Sequence, residues 1–194
     1  MKPLLIIFEG LDGTGKTSLA RAVSVLLNGV YLTTPCPRIR QVREDILDSF
    51  GGNPEASHLF YMSTVFGTIT AIQTMQAVGV PVVVDRYFLS TQAYAAFQGS
   101  RLVLDELNKL LPPADLTVYV SAPLAVRQAR IQARAASKAD LITLDPEATR
   151  ILEHEHEKRY GFPVVGNLMR IENEGTYSIP ELADEILNKV RSLQ

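Results

Sequence analysis

With 194 residues, 46% of them apolar and 21% charged, the chain is long enough for one domain with a sizeable core and too apolar for a disordered tail. Nineteen Lys and Arg against twenty-one Asp and Glu leave a net charge of -2, which argues against a broadly basic nucleic-acid surface but leaves room for a local arginine cluster. A single cysteine, Cys36, excludes an internal disulfide framework and fits a reducing compartment.

The first apolar run, Leu4 to Phe8, stops at Glu9, too short for a signal peptide's apolar region or a membrane span. No other run approaches the roughly eighteen residues that a spanning helix needs. The expectation is a cytoplasmic protein with no membrane and no nucleic-acid partner. That first run predicts a strand, and a helix follows over Thr17 to Leu27. Next come a strand over Val30 to Thr34, helices over Ile39 to Ser49 and Pro54 to Ala77, and a strand over Val80 to Asp85. A helix over Leu102 to Leu111, a strand over Leu116 to Ser121, and helices over Leu124 to Ala136 and Pro146 to Tyr160 lead to the last strand, Val164 to Ile171. Ile179 to Leu193 closes the chain as a helix. Five strands alternating with helices predict a three-layer α/β/α fold on a five-stranded parallel sheet. Val82-Val83-Val84 and Val118-Tyr119-Val120 are apolar without alternation, as suits strands covered on both faces. With no repeat and no Gly/Ser-rich or Pro-rich linker, residues 1–194 read as a single domain.

Gly10-Leu11-Asp12-Gly13-Thr14-Gly15-Lys16-Thr17 matches GxxxxGK[ST] at every fixed position, between a predicted strand and a predicted helix. The fold class is therefore that of P-loop NTPases. The glycines let the backbone turn its N–H groups around phosphates, and the following helix presents its positive end to them. Gly10, Asp12, Gly13, Thr14, Gly15, Lys16, Thr17 and Ser18 form the predicted cradle, with Lys16 on the terminal phosphates of ATP and the Thr17 hydroxyl on Mg²⁺. A ligand-free Gly-rich turn is the structural alternative. From Arg127 to Lys138 the sequence RQARIQARAASK carries four basic residues and no acid, either a solvated helix face or a source of charge for phosphates.

FEGLDGTGKTS at Phe8 to Ser18 and DRYFLSTQAY at Asp85 to Tyr94 together resemble the thymidylate kinase family of nucleoside monophosphate kinases, whose pattern is roughly FEGxDGxGKST followed by DRYxxSxxAYQ. DLTVYVSAPLAVRQARIQAR at Asp115 to Arg134 is similar to the family's fourth strand and the helix leading into its lid. The resemblance implies Mg²⁺-dependent transfer of the ATP γ-phosphate to a nucleotide-like acceptor, most simply a pyrimidine deoxynucleoside monophosphate such as dTMP. It also implies a homodimer and a small lid at about residues 134–143. On the same grounds Asp12 lies near the acceptor, or else caps its own loop. Asp85 binds Mg²⁺ directly or through water, and Arg86 clamps the acceptor or the transferring group, unless these two charges simply pair with each other. The loop has no arginine of its own, so Arg130 and Arg134, sharing a helix face at i, i+4, or Lys138 would bring positive charge to the transition state.

On the acceptor side Phe60 is available to stack on a base or else is a core residue, and Tyr94 and Gln98 either line the pocket or take core or helix-surface roles. Two departures from the family pattern fall here: Thr34-Pro35-Cys36-Pro37 replaces an Arg-Glu-Pro stretch, and Thr64 replaces an arginine four residues after the phenylalanine. Arg38, Arg40 or Arg43 could restore the charge. A nucleoside kinase or a kinase of another small metabolite is accordingly the alternative, and a non-catalytic nucleotide-binding regulatory protein is the alternative of another class. His154 and His156, two apart on a helix, do not form a zinc pair and with Glu153, Glu155 and Glu157 predict an exposed face. Cys36, without a sequence-local His, reads as an inert thiol.

Overall fold

The computed structural model describes residues 3–134 and 141–193. Five strands, β1 (Leu5–Glu9), β2 (Val30–Thr33), β3 (Val82–Asp85), β4 (Leu116–Ser121) and β5 (Asn167–Glu172), pair in parallel in the order β2-β3-β1-β4-β5. The expected α/β class and five-stranded parallel sheet are both present. Successive residues of β1 face opposite sides, so both sides must be apolar. Leu5 and Ile7 join Val82, Val84, Met62, Val65, Ile72 and Phe88 in one layer, and Ile6 and Phe8 join Leu19, Val23, Val83, Val118, Ile186 and Val190 in the other. The first layer is built on α3 (Pro54–Gly67), α4 (Ile69–Ala77) and α5 (Phe88–Phe97), the second on α1 (Lys16–Leu26) and the last helix, α8 (Ile179–Ser192). α2 (Pro37–Ser49) buries none of its residues, α6 (Leu124–Gln132) follows β4, and α7 (Pro146–Glu157) packs on α5, with Leu152 and Ala93 in one small apolar cluster. From β1 the chain crosses to β2 on one side, and from β3 it crosses back past β1 to β4 on the other. That reversal opens a crevice at the C-terminal end of β1, where ligands of such sheets bind.

Several elements differ from expectation. The helix expected over 54–77 is two helices meeting at Thr68, whose hydroxyl donates to Val65 O at 2.6 Å. The stretch expected to be helical over 102–111 forms only a 3-10 turn at Asp105–Leu110. The last strand starts at Asn167, because Pro163–Val165 is a 3-10 turn. α5 is a helix that the periodicity did not announce: Phe88, Leu89, Ser90, Gln92, Ala93 and Ala95 are all buried, so it has no polar face to set a period. α6 ends at Gln132, and Lys138 with most of the expected lid lies outside the described residues.

Candidate active site

β1 ends in Glu9 and runs into the glycine-rich loop, which enters α1 through Gly15. Gly15 has φ 91°, and a Cβ there would stand 2.5 Å from Asn173 Nδ2; only glycine allows this turn and this approach. The N-terminus of α1 has no side-chain cap and no acid in its first turn. Its orphan N–H groups therefore remain available to an anion. Three consecutive carbonyls on the other side of the loop are held. Arg127 Nε donates to Asp12 O at 2.7 Å, Arg130 Nη1 to Gly13 O and Thr14 O at 3.3 Å each, and Asn173 Nδ2 to Thr14 O at 2.9 Å.

Lys16 is buried, with Nζ donating to Leu11 O at 2.9 Å and lying 3.7 Å from Asp12 Oδ1. Burial, with Arg86 beside it, lowers its pKa to about 8 against the opposing pull of Asp12, Asp85 and Glu9. Thr14 turns inward and its hydroxyl donates to Leu11 O at 2.9 Å, while Thr17 and Ser18 are exposed in the first turn of α1.

Asp12 gathers the charged groups. Its Oδ1 pairs with Arg86 Nη2 and its Oδ2 accepts the Tyr94 hydroxyl at 2.7 Å. Burial alone would raise its pKa, but the charges of Arg86, Lys16 and Arg134 with the Tyr94 bond hold it well below the usual carboxylate range. The Asp12 carboxylate is thus engaged by Arg86, Lys16 and Tyr94, and the expected alternative of an Asp85–Arg86 pair is not what forms. Arg86 lies at φ 71°, uncommon for a non-glycine residue. Its backbone is fixed there by Arg86 N donating to Phe8 O at 2.9 Å and by the Thr34 hydroxyl donating to Arg86 O at 2.7 Å. The guanidinium also donates to Ser90 Oγ at 3.2 Å and lies 5.2 Å from the Tyr94 ring centroid. Burial and the Asp12 charge keep the Tyr94 phenol protonated, so it donates to Asp12.

Asp85, at the end of β3, accepts the Thr17 hydroxyl at 2.5 Å and the Tyr31 hydroxyl at 3.1 Å, both on Oδ2. Its Oδ1 is buried with no hydrogen-bond partner. Among the described residues no cluster of three His, Cys, Asp or Glu side chains could hold a metal.

The structure separates the arginines of the basic run. Arg130 and Arg134 do not share a helix face, because α6 stops between them, and Arg130 is committed to the loop carbonyls and to Asn173 Oδ1 at 3.0 Å. Arg134 is exposed just past the helix and still acts electrostatically on Asp12.

On the acceptor side Phe60 is half-buried on α3, edge-on to Phe50 at 6.2 Å and to Tyr61 at 5.3 Å. Thr64 is buried and its hydroxyl is spent on Tyr61 O at 2.7 Å. Arg38 is exposed, and Arg40 donates to Thr33 Oγ1 at 2.7 Å. Of the three α2 arginines it is Arg43 whose charge, with that of Arg86, reaches the half-buried Tyr61 hydroxyl. Gln98 is exposed at the C-cap of α5.

Glu9, Tyr31, Arg127 and Asn173 escaped the sequence reading. Arg127 at least opened the basic run, whereas Tyr31 and Asn173 carry no local signal, since only the fold brings them to Asp85 and to the loop. His156 reverses its expectation: it is fully buried, its Nδ1 2.7 Å from Leu152 O and its ring edge-on to Tyr119, with only His154 facing solvent.

A family model described as thymidylate kinase matches residues 8–156. A probable thymidylate kinase of Metallosphaera sedula is 26% identical, over 97% of this chain and 96% of the relative. One of Sulfurisphaera tokodaii is 30% identical, over 88% and 90%. Among solved structures, thymidylate kinase from Candida albicans superimposes with a TM-score of 0.72 at 18% identity, covering 98% of this chain and 92% of that one.

Proposed function

The chain belongs to the thymidylate kinase family, and from that premise we propose that it transfers the γ-phosphate of ATP to dTMP, with the Asp12 cluster as the joint between donor and acceptor. The observation that carries this reading is that Asp12, inside the phosphate loop, binds Lys16 on the donor side and Arg86 with Tyr94 on the other. A phosphate oxygen of dTMP attacks the γ-phosphorus in line, forming one P–O bond as the bond to the ADP oxygen breaks. A phosphomonoester with a second pKa of about 6 is mostly a dianion at neutral pH. The attacking oxygen therefore needs no strong base. The weakly basic Asp12 carboxylate suits a different task, which is to hold Arg86 and Lys16 in place while they and the exposed Arg134 stabilise the charge on the moving group. The Tyr61 hydroxyl lies within the field of both Arg43 and Arg86, and with Phe60 edge-on to its ring these side chains would supply the acceptor wall.

Thr17 and Asp85 fit Mg²⁺. The orphaned, buried Oδ1 of Asp85 and the adjoining Thr17 hydroxyl are oxygen donors of the kind this cation takes alongside substrate phosphates and water. When bound there, Mg²⁺ neutralises charge on the β- and γ-phosphates. α2, which buries nothing and exposes Val42, and α3, which exposes Leu59, offer surface that a second copy would cover in a homodimer. Light scattering at about twice 21.4 kDa tests that. No described helix is long and apolar enough to cross a membrane, and a cytoplasmic site of action agrees with that.

The functional test is ADP release coupled to a dehydrogenase, across dTMP, other nucleoside monophosphates and thymidine. Release that depends on dTMP is the expected result. Release with thymidine but not dTMP would make the protein a nucleoside kinase. No acceptor-dependent release, with ATP still raising the melting temperature, would make it a nucleotide-binding protein.

A further inference from the structure

Arg127 is 1% exposed, and among the described residues no carboxylate forms an ion pair with it. All its acceptors are neutral: Asp12 O at 2.7 Å from Nε, Thr149 Oγ1 at 3.0 Å from Nη1, and Thr143 O at 2.9 Å and Thr143 Oγ1 at 3.4 Å from Nη2. Thr149 Oγ1 in turn donates to Thr143 O at 3.1 Å. Burying a guanidinium this way is expensive, and an apolar side chain of similar volume would serve stability as well or better. What an apolar side chain cannot do is address three chain segments from one rigid plane of donors. The loop also rests on this residue's backbone: a Cβ on Gly13 would stand 3.0 Å from Arg127 O and 3.1 Å from its Cα.

In a trans peptide the C=O and the following N–H point to opposite sides. A hydrogen bond that pulls Asp12 O outward onto Arg127 therefore turns the Gly13 N–H to the other side of the loop, where phosphates would lie. Arg130 and Asn173 do the same for the next two peptides through Gly13 O and Thr14 O.

We propose that Arg127 is a positioning residue for the phosphate loop: it fixes the Asp12–Gly13 peptide in the phosphate-accepting orientation and locks that orientation to the chain entering α7. The proposal rests on the loop being the ATP site, and it assigns a role in donor handling to a side chain that touches neither substrate.

The test uses the whole chain with Arg127→Met and Arg127→Lys, reading ATP affinity by calorimetric titration without turnover, kinetics for both substrates, and thermal melts. Arg127→Met should weaken ATP binding by about tenfold or more, with kcat/KM for ATP falling alongside and the KM for dTMP nearly unchanged. Arg127→Lys should recover only part of this, since an ammonium cannot span three acceptors. A folded Arg127→Met that binds ATP like the wild type, or loses ATP and dTMP equally, overturns the proposal. If Arg127→Met does not fold, Thr149→Val removes one acceptor only. It should weaken ATP binding a few-fold with dTMP untouched, and unchanged ATP affinity in that variant overturns the proposal too. A wild-type chain that binds ATP yet transfers nothing to dTMP defeats the functional reading and leaves this one standing.

Discussion

Lys16 is buried among Arg86 and the carboxylates of Asp12, Asp85 and Glu9, with its pKa lowered to about 8. Its ammonium donates to Leu11 O at 2.9 Å and lies 3.7 Å from Asp12 Oδ1, so a phosphate that draws it away replaces one neutral and one charged partner. Lys16→Ala should lower turnover by about a hundredfold or more with the fold intact, because the charge acts chiefly in the transition state. Unchanged turnover in a folded variant would remove the loop from the mechanism. The lowered pKa has a sign that calorimetry can read. At pH 8 to 9 a good share of the free protein lacks the Lys16 proton, and bound phosphates favour the protonated form. ATP binding should therefore take up a proton in that range, seen as an enthalpy that changes with the ionisation heat of the buffer, and Lys16→Ala should abolish the effect. At the neighbouring metal position Thr17→Ala removes the hydroxyl that meets Asp85. Its Mg²⁺ titration should shift to higher concentration, and a curve that overlays the wild type would place the metal elsewhere.

α5 shows how an element can be illegible and still dictated by the chain. Its sequence, FLSTQAYAAF, is apolar nearly all round and has no Ser, Thr, Asp or Asn at the N-cap, which is Tyr87. The cap arrives from 78 to 81 residues away: Glu9 Oε1 accepts from Tyr87 N at 3.0 Å and Leu89 N at 2.9 Å, and Oε2 accepts from Ser90 N at 3.2 Å and from the Ser90 hydroxyl. No local reading of start signals can find a cap supplied by another strand. By contrast the phosphate loop and β1, β3 and β4 were legible, since each is a contiguous pattern whose meaning does not depend on distant residues. The acceptor wall was legible only in outline for the same reason: choosing Arg43 over Arg38 requires knowing which side of α2 faces Tyr61. Glu9→Gln keeps the shape but sets an amide donor against the Ser90 N–H or the Tyr87 and Leu89 N–H groups. It should cost about 1–3 kcal/mol, read as a lower urea midpoint at constant slope. Turnover should fall with it, because Arg86 immediately precedes the capped residues. A variant equal to wild type in stability would mean that the helix start is held by packing alone.

At the scale of the whole molecule, α7 carries an ionisable group into the interior beneath the site. His156 is fully buried against Tyr119, and burial, reinforced by the charges of Arg86 and Lys16, lowers its pKa from 6.5 to about 4 in spite of its contact with Leu152 O. The folded protein thus holds a neutral imidazole where the unfolded chain would carry a charged one. Between pH 6.5 and 4 the unfolded state binds more protons, so stability must fall as pH falls through this window and be complete above it. Across the whole window the loss is roughly 3 kcal/mol at most. The wild-type slope in this window is shared with two carboxylates and with the buried His58, whose pKa burial likewise lowers from 6.5. Asp12, with its pKa depressed, costs stability only at lower pH, below its unfolded value of 3.8. Glu9, with its pKa raised by burial above 4.5, acts in the opposite direction, losing stability as pH rises. All three contribute equally to the wild type and to a variant at position 156. His156→Phe, which removes the titration and keeps a ring against Tyr119, should therefore show a flatter acid limb than the wild type in urea unfolding measured from pH 7 to pH 4, whatever its absolute stability at pH 7. Parallel profiles would mean that the imidazole is charged in the folded state and that water or a rearranged Tyr119 reaches its Nε2.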